Sequence, residues 1–165
     1  MDLPKRKPIR LPEYDYSSPG AYFVTVCTHD RRCILSDITV GEGLAPPAVE
    51  LTPIGQCVQE QLLALPSRFP LVHLDHFVIM PNHVHLLVSV ADSGGASPSP
   101  TLSDVVGAFK SLSTRLSRDS LGDLPLWQRS FHEHVIRNES DYREIWNYID
   151  ANPAKWAEDR YYEGF

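Results

Sequence analysis

Three absences narrow the field before any motif is read. No apolar run in the 165 residues approaches the ~20 needed to cross a bilayer. The opening MDLPKRKPIRLPEYDY also has no apolar stretch of the kind found in an export signal. A soluble, cytoplasmic protein with no membrane partner is expected. The three cysteines, Cys27, Cys33 and Cys57, are odd in number and form no CxxC pair. This speaks against a disulfide framework or a zinc knuckle and suits a reducing compartment. Basic charge is short as well: 15 Lys and Arg against 21 Asp and Glu give a net charge of −6, the reverse of what coating nucleic acid requires. The shortage is uneven, because Lys5, Arg6, Lys7 and Arg10 face only Asp2 in the first ten residues. Residues 1–18 read as a flexible basic arm in which Arg6, Lys7 and Arg10 are either phosphate contacts or part of a solvated tail.

The length and a hydrophobic content of 42% suit one domain with one core, and neither an internal repeat nor a second domain is visible. Ala21–Thr28 (AYFVTVCT) is rich in β-branched and aromatic residues and predicts a strand. Residues 36–51 hold Gly and Pro and predict a loop with room for a short hairpin strand. Thr52 and Pro53 then open a helix with Ile54, Val58, Leu62 and Leu65 on one side, stopped by Pro66. Leu71–Met80 and His83–Val90 predict an antiparallel pair joined at Pro81 and Asn82. A Gly/Ser/Pro loop leads to a second amphipathic helix carrying Leu102, Val105, Val106, Phe109, Leu112 and Leu116. Leu126–Arg137 predicts a fourth strand. A third helix follows, capped near Asn138 or Ser140 and ended by Asn152-Pro153. The order βαββαβ plus one helix implies an α+β, ferredoxin-like antiparallel sheet with helices on one face and the added C-terminal helix elsewhere.

The strand VIMPNHVHLLV carries two histidines among branched apolar residues. Alternation puts His83, His85, Leu87 and Ser89 on one side and Val84, Leu86, Val88 and Val90 on the other. The second side should pack on the crossover helices. The imidazoles then stand on the uncovered face, about 7 Å apart at their stems and able to converge on one ion. An HxH pair alone is weak evidence for metal, and two ordinary polar residues on an open sheet face are the commoner explanation. On the third helix, Tyr142, Ile145, Trp146 and Ile149 form an apolar stripe, with Tyr148 and Asn152 together about a quarter turn to its side. Laid along the open face, that helix would offer the Asn152 amide oxygen to an ion held by His83 and His85, and the Tyr148 phenol beside it. Such a donor set suits Mg²⁺ or Mn²⁺ at a phosphate, and also accepts Zn²⁺ or Co²⁺.

The blocks FVTVCTHDRR, FVIMPNHVHLLV, FKSLSTR and LWQRSFHEHVIRNESDYREIWNYIDANPAK, in this order over roughly residues 20–156, resemble the single-tyrosine HUH transposases. Within these they resemble the REP-associated tyrosine transposases, or IS200-like transposases. The resemblance implies a catalytic domain with His83 and His85 as metal ligands, Asn152 as the third ligand where relatives have Gln or Asn, and Tyr148 as the nucleophile. It further implies a divalent Mg²⁺ or Mn²⁺ cofactor, a 5′-phosphotyrosine intermediate, and DNA transposition on single-stranded DNA folded into a hairpin beside a guide sequence. Such proteins associate with the nucleoid when bound to DNA and occur as monomers or as homodimers that exchange the tyrosine helix.

Rivals remain within the sequence. His132 and His134 form a second HxH, and the family pattern leaves His134 as a candidate active-site neighbour. Tyr142 is the second-ranked nucleophile. Lys110, Arg129 and Arg137 are candidate DNA contacts, weighed against an ordinary solvated face. The acidic total keeps two other functions open: a domesticated DNA-binding module without strand transfer, and a phosphoesterase that uses water.

Overall fold

The computed structural model of the chain describes residues 20–39, 46–91, 100–159 and 161; the basic arm with Arg6, Lys7 and Arg10 lies outside them. Six strands and five helices follow in chain order: β1 (Gly20–Cys27), β2 (Ser36–Thr39), β3 (Ala48–Leu51), α1 (Pro53–Leu63), α2 (Leu65–Arg68), β4 (Val72–Ile79), β5 (His83–Val90), α3 (Leu102–Leu116), α4 (Arg118–Leu121), β6 (His132–Ile136) and α5 (Glu139–Ala151). The main sheet has the order β4-β5-β1-β6 with every neighbouring pair antiparallel. Hence β1 and β4 run parallel on either side of β5, the split βαβ arrangement expected of a βαββαβ chain. Within the region 36–51, β2 pairs antiparallel with β3 as a separate two-stranded sheet.

One face of the sheet is apolar by strict alternation. Tyr22, Val24 and Val26 of β1 and Val84, Leu86, Val88 and Val90 of β5 are buried there against Val58 and Leu62 of α1 and Val105, Val106 and Phe109 of α3. The helices start where the sequence supplies caps. Thr52 accepts from Gly55 N, Thr101 and Asp104 form a reciprocal capping box, and Asn138 accepts from Asp141 N. Gly55 is demanded by packing: a Cβ there would lie 1.9 Å from the Leu35 carbonyl oxygen.

Two boundaries differ from expectation. Pro66 does not terminate a helix; α1 ends at Leu63, and Pro66 sits in the first turn of α2, where its missing N–H costs nothing. The fourth strand is also shorter than the predicted 126–137, because residues 126–131 are gripped by α3 instead of extending the ladder. Trp127 makes a single bridge to Thr28, donates its indole N–H to Ser113 Oγ at 2.9 Å, and rests against Phe109. Lys110 Nζ donates to the carbonyls of Gln128 and Arg129 at 2.5 and 2.9 Å.

The face opposite α1 and α3 is crossed by α5, which touches β4, β5 and β6. After Asn152, Pro153 begins a 3₁₀ turn (Pro153–Glu158) that leads to Asp159 and Tyr161.

Candidate active site

The sheet register decides which residues meet α5. Thr25 of β1 pairs with His85 on one side and His132 on the other, while Phe23 pairs with Leu87 and His134. All of these side chains share one face. His83 and His85 are both essentially inaccessible, at 0% and 1% exposure, and their Nε2 atoms stand 3.1 Å apart.

Their orientation is fixed from behind. Asn82 Nδ2 donates to Tyr161 O at 2.7 Å and towards Arg31 O at 3.4 Å, so Asn82 Oδ1 is left to accept from His83 Nδ1–H at 2.8 Å. The lone pair of His83 therefore lies on Nε2. Thr25 Oγ1 stands 2.8 Å from His85 Nδ1 and turns that ring's Nε2 towards the same point. Such outer hydrogen bonds are what orient a metal-binding imidazole.

α5 is bound to the sheet by polar and aromatic contacts on both edge strands. At a bulge between Leu74 and His76 in β4, Asp75 Oδ2 accepts from Ser89 Oγ and, at 2.9 Å, from the Tyr142 hydroxyl. Burial, reinforced by the Asp75 carboxylate, pushes the Tyr142 phenol up to about 12. His76 stacks on Trp146 at 4.2 Å and meets Asp150 at 2.6 Å. On the far edge, His134 Nε2 bonds Asp141 Oδ2 at 2.8 Å and holds that carboxyl below its ordinary range.

This placement sets Tyr148 beside the histidines. Its ring lies 5.4 Å from His85 and 5.9 Å from Phe23, both edge-on, and the residue is 43% exposed. Tyr148, Asn152 and Asp159 line one cavity of about 490 Å³ together with Glu144, Lys155 and Glu158. Asn152 is buried and its Oδ1 has no hydrogen-bond partner, an orphan that a bound ion would satisfy. Asp159, brought back by the 3₁₀ turn, puts a carboxylate oxygen 3.9 Å from His83 Nε2.

Among the described residues, His83, His85 and Asp159 are the one cluster of His, Cys, Asp or Glu able to share an ion, with ligand atoms within 4.8 Å of one another. Two donors each about 2.1 Å from one ion and near a right angle stand about 3 Å apart, which the histidine pair matches. The residues present thus fit a divalent cation.

Of the residues singled out by sequence, His83, His85 and Tyr148 come together, and Asn152 lines the cavity that Tyr148 shares with Asp159. His132 and His134 share their sheet face, but His134 is paired with Asp141 at the start of α5. Tyr142 is directed at β4. Arg137 follows β6, its backbone N–H donating to Asp141. Lys110 and Arg129 lie at the α3 side of the molecule, and the Lys110 ammonium, its pKa lowered by burial, holds backbone carbonyls rather than facing outwards. Sequence reasoning missed Asp159, for which no periodicity gives a signal. It also missed Asn82, read only as a turn residue, and Thr25, whose strand parity was available.

Residues 67–152, from α2 to Asn152, match the family model described as Transposase IS200 like. The chain is 31% identical over 173 residues to an uncharacterised protein of Haemophilus influenzae, covering 95% of this chain and 93% of that one. It is 24% identical over 140 residues to the REP-associated tyrosine transposase of Escherichia coli, covering 85% and 70% respectively. A solved REP-associated tyrosine transposase bound to a REP hairpin has the same fold, with TM-score 0.62, 23% identity, and coverage of 97% of this chain and 77% of that one. A putative transposase from Deinococcus radiodurans superposes with TM-score 0.50 and 22% identity, covering 86% and 95%.

Proposed function

The chain belongs to the IS200-like transposase family, and we propose that it cleaves and rejoins single-stranded DNA, in or beside a hairpin, with Tyr148 as its nucleophile. The observation that carries this reading is the edge-on approach of the Tyr148 ring to His85, within a pair of buried imidazoles whose Nε2 atoms are 3.1 Å apart.

His83 and His85, with Asn152 and Asp159 completing the donor set, would hold Mg²⁺ or Mn²⁺. When bound, such an ion supplies a Lewis acid that offsets charge on the phosphoryl oxygens and orients the phosphodiester. Thr25 and Asn82 keep the two imidazoles aimed. The β4 contacts of α5 keep Tyr148 at a fixed height over the sheet, so that attack costs little reorganisation. Tyr148 Oη attacks phosphorus as the bond to the 3′ oxygen breaks; the phenol loses its proton and the departing oxygen gains one. The product is a 5′-phosphotyrosine linkage and a free 3′ hydroxyl. Because the phosphoester energy is retained in that linkage, a second 3′ hydroxyl can reverse the step and complete strand transfer without ATP.

The test is to incubate the protein with Mn²⁺ or Mg²⁺ and labelled single-stranded DNA carrying the hairpins that flank its gene, then to run a denaturing gel. A protein-DNA adduct absent from Tyr148→Phe is expected. Binding without an adduct would assign the chain to the DNA-binding modules, and cleavage that survives Tyr148→Phe would assign it to the water-using phosphoesterases.

A further inference from the structure

We infer that the paired stem of the DNA hairpin rests on a basic ridge formed by α3, α4 and residues 125–130, on the side of the sheet away from α5. The ridge is continuous with the catalytic histidines. Tyr161 lies 4.5 Å from His83, and the Arg31 guanidinium lies over the Tyr161 ring at 5.7 Å. Arg31 and Arg129 line one open groove. Arg129 also lines the next, together with Arg115, Arg118, Ser111 and Thr114.

Charge sorts these surfaces. The second groove has four cationic residues (Lys110, Arg115, Arg118 and Arg129) and no carboxylate in its lining. The cavity beside Tyr148 carries three acids and one lysine. In the first groove the only acid is Asp30, already 3.4 Å from His29. Arg115, Arg118 and Arg129 are exposed and enter none of the ion pairs recorded among the described residues. A chain of net charge −6 thus concentrates cations where phosphates would run.

The chemistry of the lining chooses between paired and unpaired DNA. Unpaired strands are gripped by aromatic faces on which bases stack. Neither groove offers an open indole or phenyl face: Trp127 is 6% exposed with its indole N–H bound to Ser113, and the one other ring in the linings, the His29 imidazole, stands against Asp30 at 3.4 Å. Arginines and hydroxyls without a stacking platform suit the sugar-phosphate backbone of a duplex, held without regard to sequence. The backbone supports the same surface: Asp30 and Arg31 both adopt positive φ, 54° and 52°, a conformation unfavourable for non-glycine residues that presents Arg31 at the junction. Lys110 props the ridge by holding the Gln128 and Arg129 carbonyls.

This inference rests on the transposase reading, and the test separates the two. Binding of a labelled, blunt-ended DNA hairpin is measured by anisotropy across a salt series for the full chain, Arg115→Gln/Arg118→Gln, Arg129→Gln, and Arg143→Gln on α5 as control. Adduct formation is followed in parallel on an unpaired oligonucleotide spanning the cleavage site. The double variant should bind the hairpin about tenfold or more weakly and lose about 1.8 from the slope of log K against log salt, for two phosphate contacts. Arg129→Gln should follow in the same direction, Arg143→Gln should not, and adducts with the unpaired oligonucleotide should form as before. Unchanged hairpin affinity in the ridge variants would overturn the ridge, as would equal losses on hairpin and unpaired DNA. Weakened hairpin binding together with no adduct in the unsubstituted protein would keep the ridge and reject the catalytic reading. Unchanged thermal unfolding midpoints would show that the exposed substitutions leave the fold intact.

Discussion

Tyr142 donates its phenolic hydrogen to Asp75 Oδ2 at 2.9 Å, tying the helix that bears Tyr148 to the bulge of β4. The bond has a titration signature. Burial and the neighbouring carboxylate raise the phenol from 10.0 to about 12, so the folded state holds its proton more tightly than the unfolded chain does. The contribution is complete below pH 10 and is lost as pH rises through about 12. Unfolding free energy measured by urea titration should therefore decline across this window, and Tyr142→Phe should flatten that part of the profile.

Tyr142 and Tyr148 should separate cleanly by substitution. Tyr142→Phe removes one hydrogen bond and should cost about 0.5–1.5 kcal/mol of stability while still giving a covalent adduct. Tyr148→Phe should retain stability and give none. An adduct retained by Tyr148→Phe but lost in Tyr142→Phe would move the nucleophile to the tyrosine facing β4.

Metal removal addresses the histidine pair. Chelation with EDTA should abolish adduct formation, and added Mn²⁺ should restore it. Calorimetric titration with Mn²⁺ should show binding that His83→Ala or His85→Ala eliminates. Asn152→Ala and Asp159→Ala, each assayed in the same titration, should each weaken Mn²⁺ binding; a residue whose loss leaves the affinity unchanged is not a ligand.

Asn82→Ala tests orientation from behind the site. It removes the acceptor for His83 Nδ1 and a bond to the Tyr161 carbonyl. Loss of such a partner typically weakens metal binding or activity by about 10–100-fold. Mn²⁺ affinity should fall while Tyr148 still forms an adduct at saturating metal. An effect confined to thermal stability would reduce Asn82 to a turn residue.

Gly55→Ala tests a packing requirement. A methyl group 1.9 Å from the Leu35 oxygen cannot be accommodated without moving α1 or the Leu35 backbone, and backbone shifts in a packed interior cost about 1–3 kcal/mol. The expected readout is a lower unfolding midpoint with the metal site still competent when folded.

Much of the fold was legible because alternation in β1 and β5 is strict and because Thr52 is a clear cap; the start of the third helix was left between Asn138 and Ser140, and the structure puts the cap at Asn138. The same alternation placed His83 and His85 on the face that α5 crosses, and helical spacing kept Tyr148 with Asn152. What escaped depends on tertiary contacts with no local period. Asp159 arrives through a 3₁₀ turn after Pro153. Asp75 is aimed by a bulge visible only in the β4–β5 register. The shortening of the last strand follows from a tryptophan and a lysine whose partners lie 14 or more residues apart in sequence. Electrostatics misled at the level of composition, since a net charge says nothing about which groove its minority sign lines.

The bulge at Asp75 also has a consequence for the sheet's perimeter. β4 is an edge strand, and an uninterrupted edge offers a row of backbone donors and acceptors on which a foreign strand can template itself. The extra residue breaks that row midway and twists the strand locally. The irregularity that fastens the tyrosine helix therefore also guards against aggregation, by interrupting the edge on which a fifth strand from another chain could otherwise pair.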